Sequence, residues 1–366
     1  MKPNIVRRRY DKLFTGKNYE SFVSKNRTGH CCFADAETDK AGVLVKKILV
    51  LHTGGTIAMK ADALTGGVLP DVANPLLDAQ VLLPTDVELV VEDIFNLPSP
   101  QITPEHMLQL KERIQLAKMA GFDSVVITHG TDTLEETAFF LDTTIGNLLP
   151  IVITGAMRSS NELGSDGLYN FESAIRVAAC DEAVGKGVMV VMNDEIHSAC
   201  YVTKTHTTNV ATFRTPTLGP IGFVTKSRIL FMQELRPTQH WDVSSVAGLI
   251  PIVKAYAGMH AELFEALAES AIDGLVIEAL GAGNLPPDTL PPLQHMLDRG
   301  LPIALVSRCF NGVAEPVYSY TGGGRQLQEM GIIFANSLNS QKARIKLLIA
   351  HNRGLSRAEL IRFMEA

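Results

Sequence analysis

The chain has 366 residues, of which 46% are hydrophobic and 20% charged, and its formal net charge is −6. This composition excludes a collagen, a coiled coil and a disordered chain, and the length suggests two domains of about 100–200 residues each. The apolar run at residues 246–253 is far shorter than the roughly 20 residues that cross a bilayer, so the sequence predicts no membrane partner.

The first 45 residues differ in charge from the rest of the chain. They carry nine Lys or Arg against five Asp or Glu, which leaves 24 against 34 in the remaining chain. This acidic body argues against nucleic acid as a partner. An export signal needs an apolar stretch after its basic residues, whereas the charged Asp11 and Lys12 follow Arg9. We therefore predict that residues 1–45 are a disordered leader.

Short apolar, β-branched runs alternate with amphipathic stretches from Lys47 onward. Thr103 and Pro104 are typical of a helix start, and Thr133 with Glu136 predicts a capping box at the start of the next helix. This alternation predicts a mainly parallel sheet covered by helices. The predicted elements are strands at 48–51, 124–128, 151–154 and 188–192, and helices at 104–120, 134–145 and 168–179.

A second α/β unit follows a break in this pattern. Pro and Gly steps between about 215 and 246 predict a hairpin region and then a linker. Beyond it, strands are predicted at 250–255, 274–280 and 303–306, and helices at 261–271, 290–298, 341–351 and 357–364. We therefore predict an N-terminal domain at 46–232, a linker at 233–249 and a smaller C-terminal domain at 250–366.

The cysteines and histidines predict neither a disulfide framework nor a metal centre. The odd number of cysteines, without CxxC spacing, fits a reducing compartment, so we predict a cytoplasmic protein. His197 and His206 lack a third ligand at metal spacing, and we predict no metal and no cofactor. The five cysteines are Cys31, Cys32, Cys180, Cys200 and Cys309.

Turns rich in glycine and hydroxyl side chains follow three of the predicted strands. They lie at 52–56, 128–133 and 154–158. In open parallel sheets, ligands bind beyond the carboxyl ends of the strands, and glycines there let backbone N–H groups face an anion. Phosphate binding is a rival interpretation, but the sequence contains neither GxxxxGK[ST] nor the GxGxxG spacing in these turns.

The side chains in these turns favour nucleophilic chemistry. A threonine hydroxyl is a weak nucleophile until a neighbouring base removes its proton. Lys204 has an apolar, hydroxyl-rich sequence context and is a candidate for that base. His129 follows a buried strand and is predicted to be a hydrogen-bonded structural histidine rather than a base.

Three segments together resemble the bacterial-type L-asparaginases, amidohydrolases that convert L-asparagine to L-aspartate and ammonia. They are TGGTI at 53–57, HGTDT at 129–133 and VTKT at 202–205, and the similarity extends from about Lys47 to the C-terminus. The resemblance implies a two-domain α/β fold, with a larger N-terminal, mainly parallel sheet flanked by helices and a smaller C-terminal α/β domain.

The same resemblance implies a role for each matching residue. Thr56 is expected to be the nucleophile that attacks the side-chain amide carbon. Thr131, Asp132 and Lys204 are expected to form a second triad, which relays a proton and activates either Thr131 or a water. Backbone N–H groups near Gly130 and Thr131 are our hypothesis for part of the oxyanion hole.

Substrate recognition follows the zwitterion of the amino acid. By resemblance, Ser99 holds the α-carboxylate and Asp132 pairs with the α-ammonium group, beside the backbone of Gly55 and Gly130. Asn284 and Glu315 are implied to reach the site from the smaller domain of a neighbouring subunit. A site completed in this way makes a homodimer the smallest active unit, and the family is usually tetrameric.

Two features depart from the family pattern. Family members often carry a tyrosine on the flexible loop after the first motif, but no tyrosine occurs between Thr56 and Ser99. The loop at 61–70 could still close as a lid. The substrate-binding serine is often followed by Gln, whereas here Pro100 follows and Gln101 is one place later. A preference for asparagine over glutamine is therefore not implied.

Two other functions remain open. One is a related amidohydrolase that acts on glutamine or glutamyl-tRNA, although the sequence contains no evident RNA-binding domain. The other is a catalytically silent amino-acid sensor on the same fold. A sensor would not need Thr56, Thr131, Asp132 and Lys204 together, so their presence argues against it. Ammonia release from asparagine and glutamine distinguishes the enzymes from the sensor.

Overall fold

A computed structural model describes residues 5–7, 45–62, 68–70, 86–235, 239–335 and 337–365. In the N-terminal part of the chain, the strands are β1 (Ile5–Arg7), β2 (Lys46–His52), β3 (Met59–Ala61), β4 (Val68–Pro70), β5 (Val87–Asp93), β6 (Ser124–Thr128), β7 (Ile151–Thr154), β8 (Val188–Met192), β9 (Glu195–Ser198), β10 (Thr203–Lys204), β11 (Phe213–Arg214), β12 (Gly222–Val224) and β13 (Ile229–Phe231).

The larger sheet has nine of these strands, in the order β1-β5-β2-β6-β7-β8-β9-β12-β13. Pairs from β1 to β8 are parallel, and pairs from β8 to β13 are antiparallel. The chain reverses between β8 and β9 at Asn193 and Asp194, whose φ angles of 49° and 67° suit a tight hairpin turn. Separate antiparallel pairs join β3 to β4 and β10 to β11.

Helices cover both faces of this sheet. They are α1 (Pro104–Met119), α2 (Leu134–Ile145) and α3 (Gly167–Ala179). Side chains alternate along the buried strands, so Leu49 and Leu51 pack towards α1 and α2, whereas Ile48 and Val50 pack towards α3. The runs of consecutive apolar residues in β2, β6 and β7 are explained by this burial on both faces.

The smaller sheet is wholly parallel, in the order β14-β15-β16-β17. One face packs against α4 and α5, and the other against α7, which also packs against α2 of the larger unit. The strands are β14 (Ile252–Lys254), β15 (Leu275–Ala279), β16 (Ile303–Ser307) and β17 (Ile333–Phe334), and the helices are α4 (Glu262–Ala268), α5 (Leu290–Asp298), α6 (Gly324–Met330), α7 (Ser340–Arg353) and α8 (Arg357–Glu365). The predicted fold class is confirmed. No helix in the described ranges combines the length and apolar character of a membrane span.

The predicted strands and helices agree closely with these bounds, but several observed elements were not predicted, among them β5, β9, β17 and α6. In β5, the acidic residues Glu88, Glu92 and Asp93 obscure the buried-strand pattern in the sequence. The Glu92 carboxylate is accommodated because Arg113 on α1 donates to both of its oxygens, each at 2.7 Å. The ion pair with Arg113, which lies 21 positions later in the chain, therefore allows the carboxylate of Glu92 to be buried in this strand.

The capping box predicted from Thr133 and Glu136 is wrong. Thr133 does precede α2, but its side chain caps no backbone N–H of the helix. Its hydroxyl instead donates to the carbonyl oxygen of Ser99 at 2.8 Å. The hydroxyl therefore joins two loops rather than starting a helix.

Of the predicted leader, the structure describes the strand β1 and residue 45. The backbone of β1 pairs in parallel with β5 at the edge of the larger sheet. Residues 1–4 and 8–44 lie outside the described residues, and the disordered leader stays a prediction. Within the predicted linker, Val243 and Val246 are buried in the core shared by both sheets, and the domain boundaries stay a prediction.

A buried carboxyl on α2 predicts a pH dependence of stability. Burial raises the pKa of Asp142 from 3.8 to about 6, although the N–H of Val188 donates to its Oδ1 at 2.8 Å. The pKa of Asp142 is higher in the folded state than in the unfolded state. The contribution of the protonated Asp142 carboxyl to the free energy of unfolding is therefore complete below about pH 4 and is lost as the pH rises through about 6.

Asp142→Asn removes this dependence because an amide does not ionise in this pH range. The amide carbonyl can still accept a hydrogen bond from the N–H of Val188. We expect the free energies of unfolding of the variant and the wild type to diverge between pH 4 and 7, reaching about 3 kcal/mol in favour of the variant. Urea unfolding over this pH range measures the difference. Parallel stability curves for the two proteins would contradict the assignment.

Candidate active site

Loops after three adjacent parallel strands build the candidate site. β2 lies between β5 and β6, with His52 in register with Asp93 and Thr128. The carboxyl ends of the three strands therefore meet at one edge of the sheet. The loops that leave this edge after β5, β2 and β6 carry Ser99, Thr56 and Thr131, respectively.

Two glycines bring these loops into direct contact. Gly55 has a φ of +83°, and a β-carbon added to it would lie 2.3 Å from the α-carbon of Gly130. A β-carbon added to Gly130 would lie 2.6 Å from that of Ser99. Both close approaches exclude any larger residue without a shift of the loops. Thr56 and Thr131, each directly after one of these glycines, therefore lie in neighbouring turns.

Lys204 joins the predicted relay residues. Its Nζ donates to Thr131 Oγ1 at 3.0 Å and to Asp132 Oδ1 at 2.6 Å. The Lys204 side chain is 17% exposed, and that of Asp132 is 57% exposed. Lys204 lies on β10, which is outside the main sheet. The short β10–β11 pair therefore places the Lys204 amine beside the carboxyl ends of the main-sheet strands. The structure thus assembles an amine, a hydroxyl and a carboxylate from segments more than 70 residues apart.

Ser99 is buried against the second motif. Its Oγ accepts a hydrogen bond from the backbone N–H of Asp132 at 3.2 Å, and its carbonyl accepts from Thr133. Because Oγ is the acceptor in the first contact, the hydroxyl proton of Ser99 remains able to donate to an anion. Ser99–Gln101 forms a 3₁₀ turn, and Gln101 is exposed.

The loop after Thr56 is described in part. Thr56–Ala58 forms a 3₁₀ turn, which leads into β3, and β3 pairs with β4. The N–H and the hydroxyl of Ser160 both donate to the carbonyl of Met59, at 3.1 and 3.0 Å, so this loop is fastened to the segment after β7. The predicted lid includes residues 63–67, which lie outside the described residues.

His129 is a structural histidine, as predicted. Its Nδ1 bonds to the carbonyl of Gly130 at 2.8 Å, and its Nε2 bonds to Thr137 Oγ1 at 2.9 Å. Burial lowers the pKa of His129 to about 4, so the ring is neutral near pH 7. Both ring nitrogens are thereby occupied within the fold. Within the residues that the structure describes, no group of three or more His, Cys, Asp or Glu side chains could hold a metal ion.

Asn284 and Glu315 lie together in the smaller α/β unit. The Oδ1 of Asn284 accepts from Gly324 N at 3.2 Å, and the backbone N–H of Glu315 donates to the carbonyl of Ala282 at 2.8 Å. The Glu315 residue is exposed. Among the described residues, no hydrogen bond or ion pair joins these two side chains to Lys204. The neighbouring segment exposes five large apolar residues, Phe310, Val313, Val317, Tyr318 and Tyr320.

Sequence reasoning missed one buried residue beside the relay. Glu135, on the first turn of α2, is 5% exposed and accepts hydrogen bonds from Thr203 and from the backbone of Lys204. Its partners at the start of α7 lie more than 200 residues further along the chain. The only local signal is its position four residues after Thr131, at the start of a predicted helix.

The sequence is similar to known proteins along most of its length. The family model "Asparaginase, N-terminal" matches residues 47–237, and "Glutaminase/Asparaginase C-terminal domain" matches residues 250–364. A probable L-asparaginase of Deinococcus radiodurans is 41% identical over 321 residues, which cover 86% of this chain and 96% of that relative. A glutamyl-tRNA(Gln) amidotransferase component of Pyrococcus furiosus is 32% identical over 85% of this chain and 74% of that relative.

A solved structure has the same fold. The crystal structure of a probable cytoplasmic L-asparaginase from Campylobacter jejuni superimposes with a TM-score of 0.78 at 33% identity. The match covers 87% of this chain and 99% of that chain. The fold is therefore a known architecture, and the family models and relatives show that the chain belongs to the asparaginase family.

Proposed function

We propose that this protein hydrolyses the side-chain amide of L-asparagine to L-aspartate and ammonia. The observation that carries the proposal is the contact of Lys204 Nζ with both Thr131 Oγ1 and Asp132 Oδ1, next to the touching backbones of Gly55 and Gly130. Such an arrangement supplies two hydroxyls and a proton relay at one sheet edge. The asparaginase names of the Deinococcus and Campylobacter relatives support the same reaction.

In the proposed reaction, Thr56 is the nucleophile. Its Oγ forms a bond to the amide carbon, and its proton passes to the amide nitrogen, which leaves as ammonia. Water then attacks the ester, returns a proton to Thr56 Oγ and releases aspartate. Backbone N–H groups near Gly130 stabilise the oxyanion in both steps, where one donor is typically worth about 2.7–4 kcal/mol.

Thr131, Asp132 and Lys204 serve this reaction as a proton relay. A proton passes between the Thr131 hydroxyl and Lys204 Nζ, which lie 3.0 Å apart. The Asp132 carboxylate at 2.6 Å then stabilises the ammonium form of the lysine. The relay activates either Thr131 or the attacking water, and it returns the proton to the leaving nitrogen.

The substrate's zwitterion is held by groups around the relay. The Ser99 hydroxyl, whose oxygen already accepts from Asp132 N, donates its proton to the α-carboxylate. Asp132 Oδ1 contacts Lys204, while the carboxylate's exposed side pairs with the α-ammonium group. Both interactions are independent of the length of the substrate's side chain, so asparagine and glutamine differ only at the reacting amide.

We further propose a homodimer or homotetramer in which Asn284 and Glu315 complete the site of a neighbouring subunit. The exposed carboxylate of Glu315 suits the α-ammonium group of a substrate. The large apolar side chains exposed at 310–320 suit burial against a second copy of the chain. We also propose a cytoplasmic location and a reaction without cofactor or metal.

A complementation experiment tests the shared site. Glu315→Gln is expected to raise KM, and Thr56→Ala is expected to abolish turnover. In a mixed dimer, one site carries both defects and the other carries neither. At asparagine concentrations far below the raised KM, where Glu315→Gln dimers turn over little substrate, random exchange in an equal mixture therefore restores about a quarter of the wild-type activity. Activity is measured after subunit exchange that mass spectrometry has verified. If exchange adds no activity at that asparagine concentration, each site is built from one chain.

The reaction itself is tested by ammonia release from asparagine and from glutamine. We expect turnover of free asparagine by the folded 366-residue chain. The similarity to the amidotransferase component makes glutamine the necessary second substrate in this assay. Release from neither amide would exclude both amidohydrolases and leave the amino-acid sensor, whereas release from glutamine alone would replace the proposed substrate.

A further inference from the structure

A buried carboxylate links the relay to the C-terminal half of the chain. Glu135 Oε1 accepts from the Thr203 hydroxyl at 3.1 Å and from the backbone N–H of Lys204 at 3.4 Å. The same oxygen accepts from Gln341 Nε2 at 3.1 Å, and Oε2 accepts from Asn339 Nδ2 at 2.9 Å. Glu135 therefore contacts both residues of β10, including the relay lysine's own backbone.

Lys342 on α7 holds the same segment from the other side. It is 1% exposed, and its Nζ lies 3.9 Å from Glu135 Oε2. The ammonium donates to the carbonyls of Cys200 at 3.0 Å and of Val202. Burial lowers the pKa of Lys342, and the charge of Glu135 opposes that shift. The segment 200–204 thus receives hydrogen bonds at its carbonyls and gives hydrogen bonds to a carboxylate.

Only a carboxylate fits the position of Glu135. Every partner that bonds to its two oxygens acts as a hydrogen-bond donor. Asn339 is the N-cap of α7, and its Oδ1 accepts a hydrogen bond from Lys342 N. If the Asn339 amide rotated to present its oxygen to residue 135, this capping hydrogen bond would be lost. A glutamine at position 135 would therefore place an N–H group against another donor.

We propose that Glu135 and Lys342 are positioning residues, which together fix the segment 200–204 so that Lys204 reaches Thr131 and Asp132. The inference rests on the proposed function for its catalytic consequence. Glu135 lies on the first turn of α2, two residues after the Thr131 motif, so its carboxylate ties the two halves of the relay to each other. α7 of the smaller unit thereby controls the geometry of the relay without touching the substrate.

The effect of loosening this contact is on turnover rather than on binding. A misplacement of a catalytic group by about 1 Å costs on the order of 10²-fold in rate. We expect Glu135→Gln and Lys342→Met each to lower kcat by about 10–100-fold and to change KM by less than about threefold. Because the two side chains form one unit, the double variant is expected to lose no more than the more damaging single variant.

The matched control is Lys346→Met. Lys346 lies one turn further along α7, is also buried, and stacks its Nζ over the ring of Phe363 at 5.1 Å. Burial lowers the pKa of Lys346 to about 8, so this variant also removes a buried amine from the same helix. The charge of Lys346 acts on the Cys200 side chain, but within the described residues no hydrogen bond joins Lys346 to the segment 200–204. The kcat per folded molecule is therefore expected to stay within about threefold of the wild type.

The experiment measures kcat, KM, urea unfolding and hydrogen exchange of the peptide spanning 200–204 in the four variants. We expect faster exchange in that peptide in Glu135→Gln and Lys342→Met but not in Lys346→Met. Unchanged kcat in the first two variants, or an equal loss in all, would overturn the proposal. If the wild type releases no ammonia, the proposed function fails, while the exchange rates still decide whether the two residues fix the segment.

Discussion

Replacing Thr56 by alanine is expected to lower kcat for asparagine by at least about 10³-fold, because the reaction then lacks its nucleophile. Thr56 lies at the start of a 3₁₀ turn and follows a glycine that carries the unusual backbone conformation. The side chain can therefore be removed without strain. Steady-state ammonia release and the melting temperature of the same preparation measure the two effects.

The matched control for this variant is Thr53→Val in the same motif. Thr53 is buried, and its hydroxyl donates to the carbonyl of Thr128 at 2.9 Å. Its loss is expected to cost about 1–3 kcal/mol in the free energy of unfolding and to change kcat by less than about tenfold. Near-normal turnover by folded Thr56→Ala would remove Thr56 from the chemistry.

Lys204→Met is the second variant with a large expected effect. It removes the amine from Thr131 and Asp132, and we expect kcat to fall by about 10³-fold or more. Lys204→Arg separates two roles, because arginine keeps the positive charge but does not release its proton near neutral pH. An inactive Lys204→Arg supports proton relay, whereas substantial activity would assign Lys204 a purely electrostatic role.

A surface lysine supplies the control for the loss of a charge. Lys254 pairs with Glu278 at 3.0 Å, and its side chain is 66% exposed. Lys254→Met is expected to change stability by less than about 1 kcal/mol and to leave kcat unchanged. Comparable losses of activity in Lys254→Met and Lys204→Met would show that net charge, rather than the relay, governs turnover.

The sequence carried enough information to predict which loops meet. The strands at 48–51 and 124–128 were predicted from buried apolar runs, and parallel pairing places their carboxyl ends side by side. The glycines at 55 and 130 then allow backbone contact between the loops. Motif and strand position together therefore indicated the location of the site, while the chemical role of each residue stays a prediction.

Contacts between distant segments account for what the sequence did not reveal. β5 was missed because the compensation of Glu92 by Arg113 depends on the packing of α1. The capping box was wrong because the Thr133 hydroxyl bonds to Ser99, 34 residues earlier. Lys342 lies in a helix that was predicted, yet nothing in the helical pattern indicates that its amine reaches the carbonyls of residues 200 and 202.

The contact of Glu135 with α7 also orders the events of biosynthesis. Domains generally fold as units as they emerge from the ribosome, beginning with the N-terminal one. Residues 46–235 contain Glu135 and Lys204 but not Lys342, whose partner carboxylate lies 207 positions earlier in the chain. In a nascent N-terminal unit, Glu135 would keep the hydrogen bonds from Thr203 and Lys204 but lack those from Asn339 and Gln341. We therefore expect the relay to reach its final geometry only when α7 has been translated and docked.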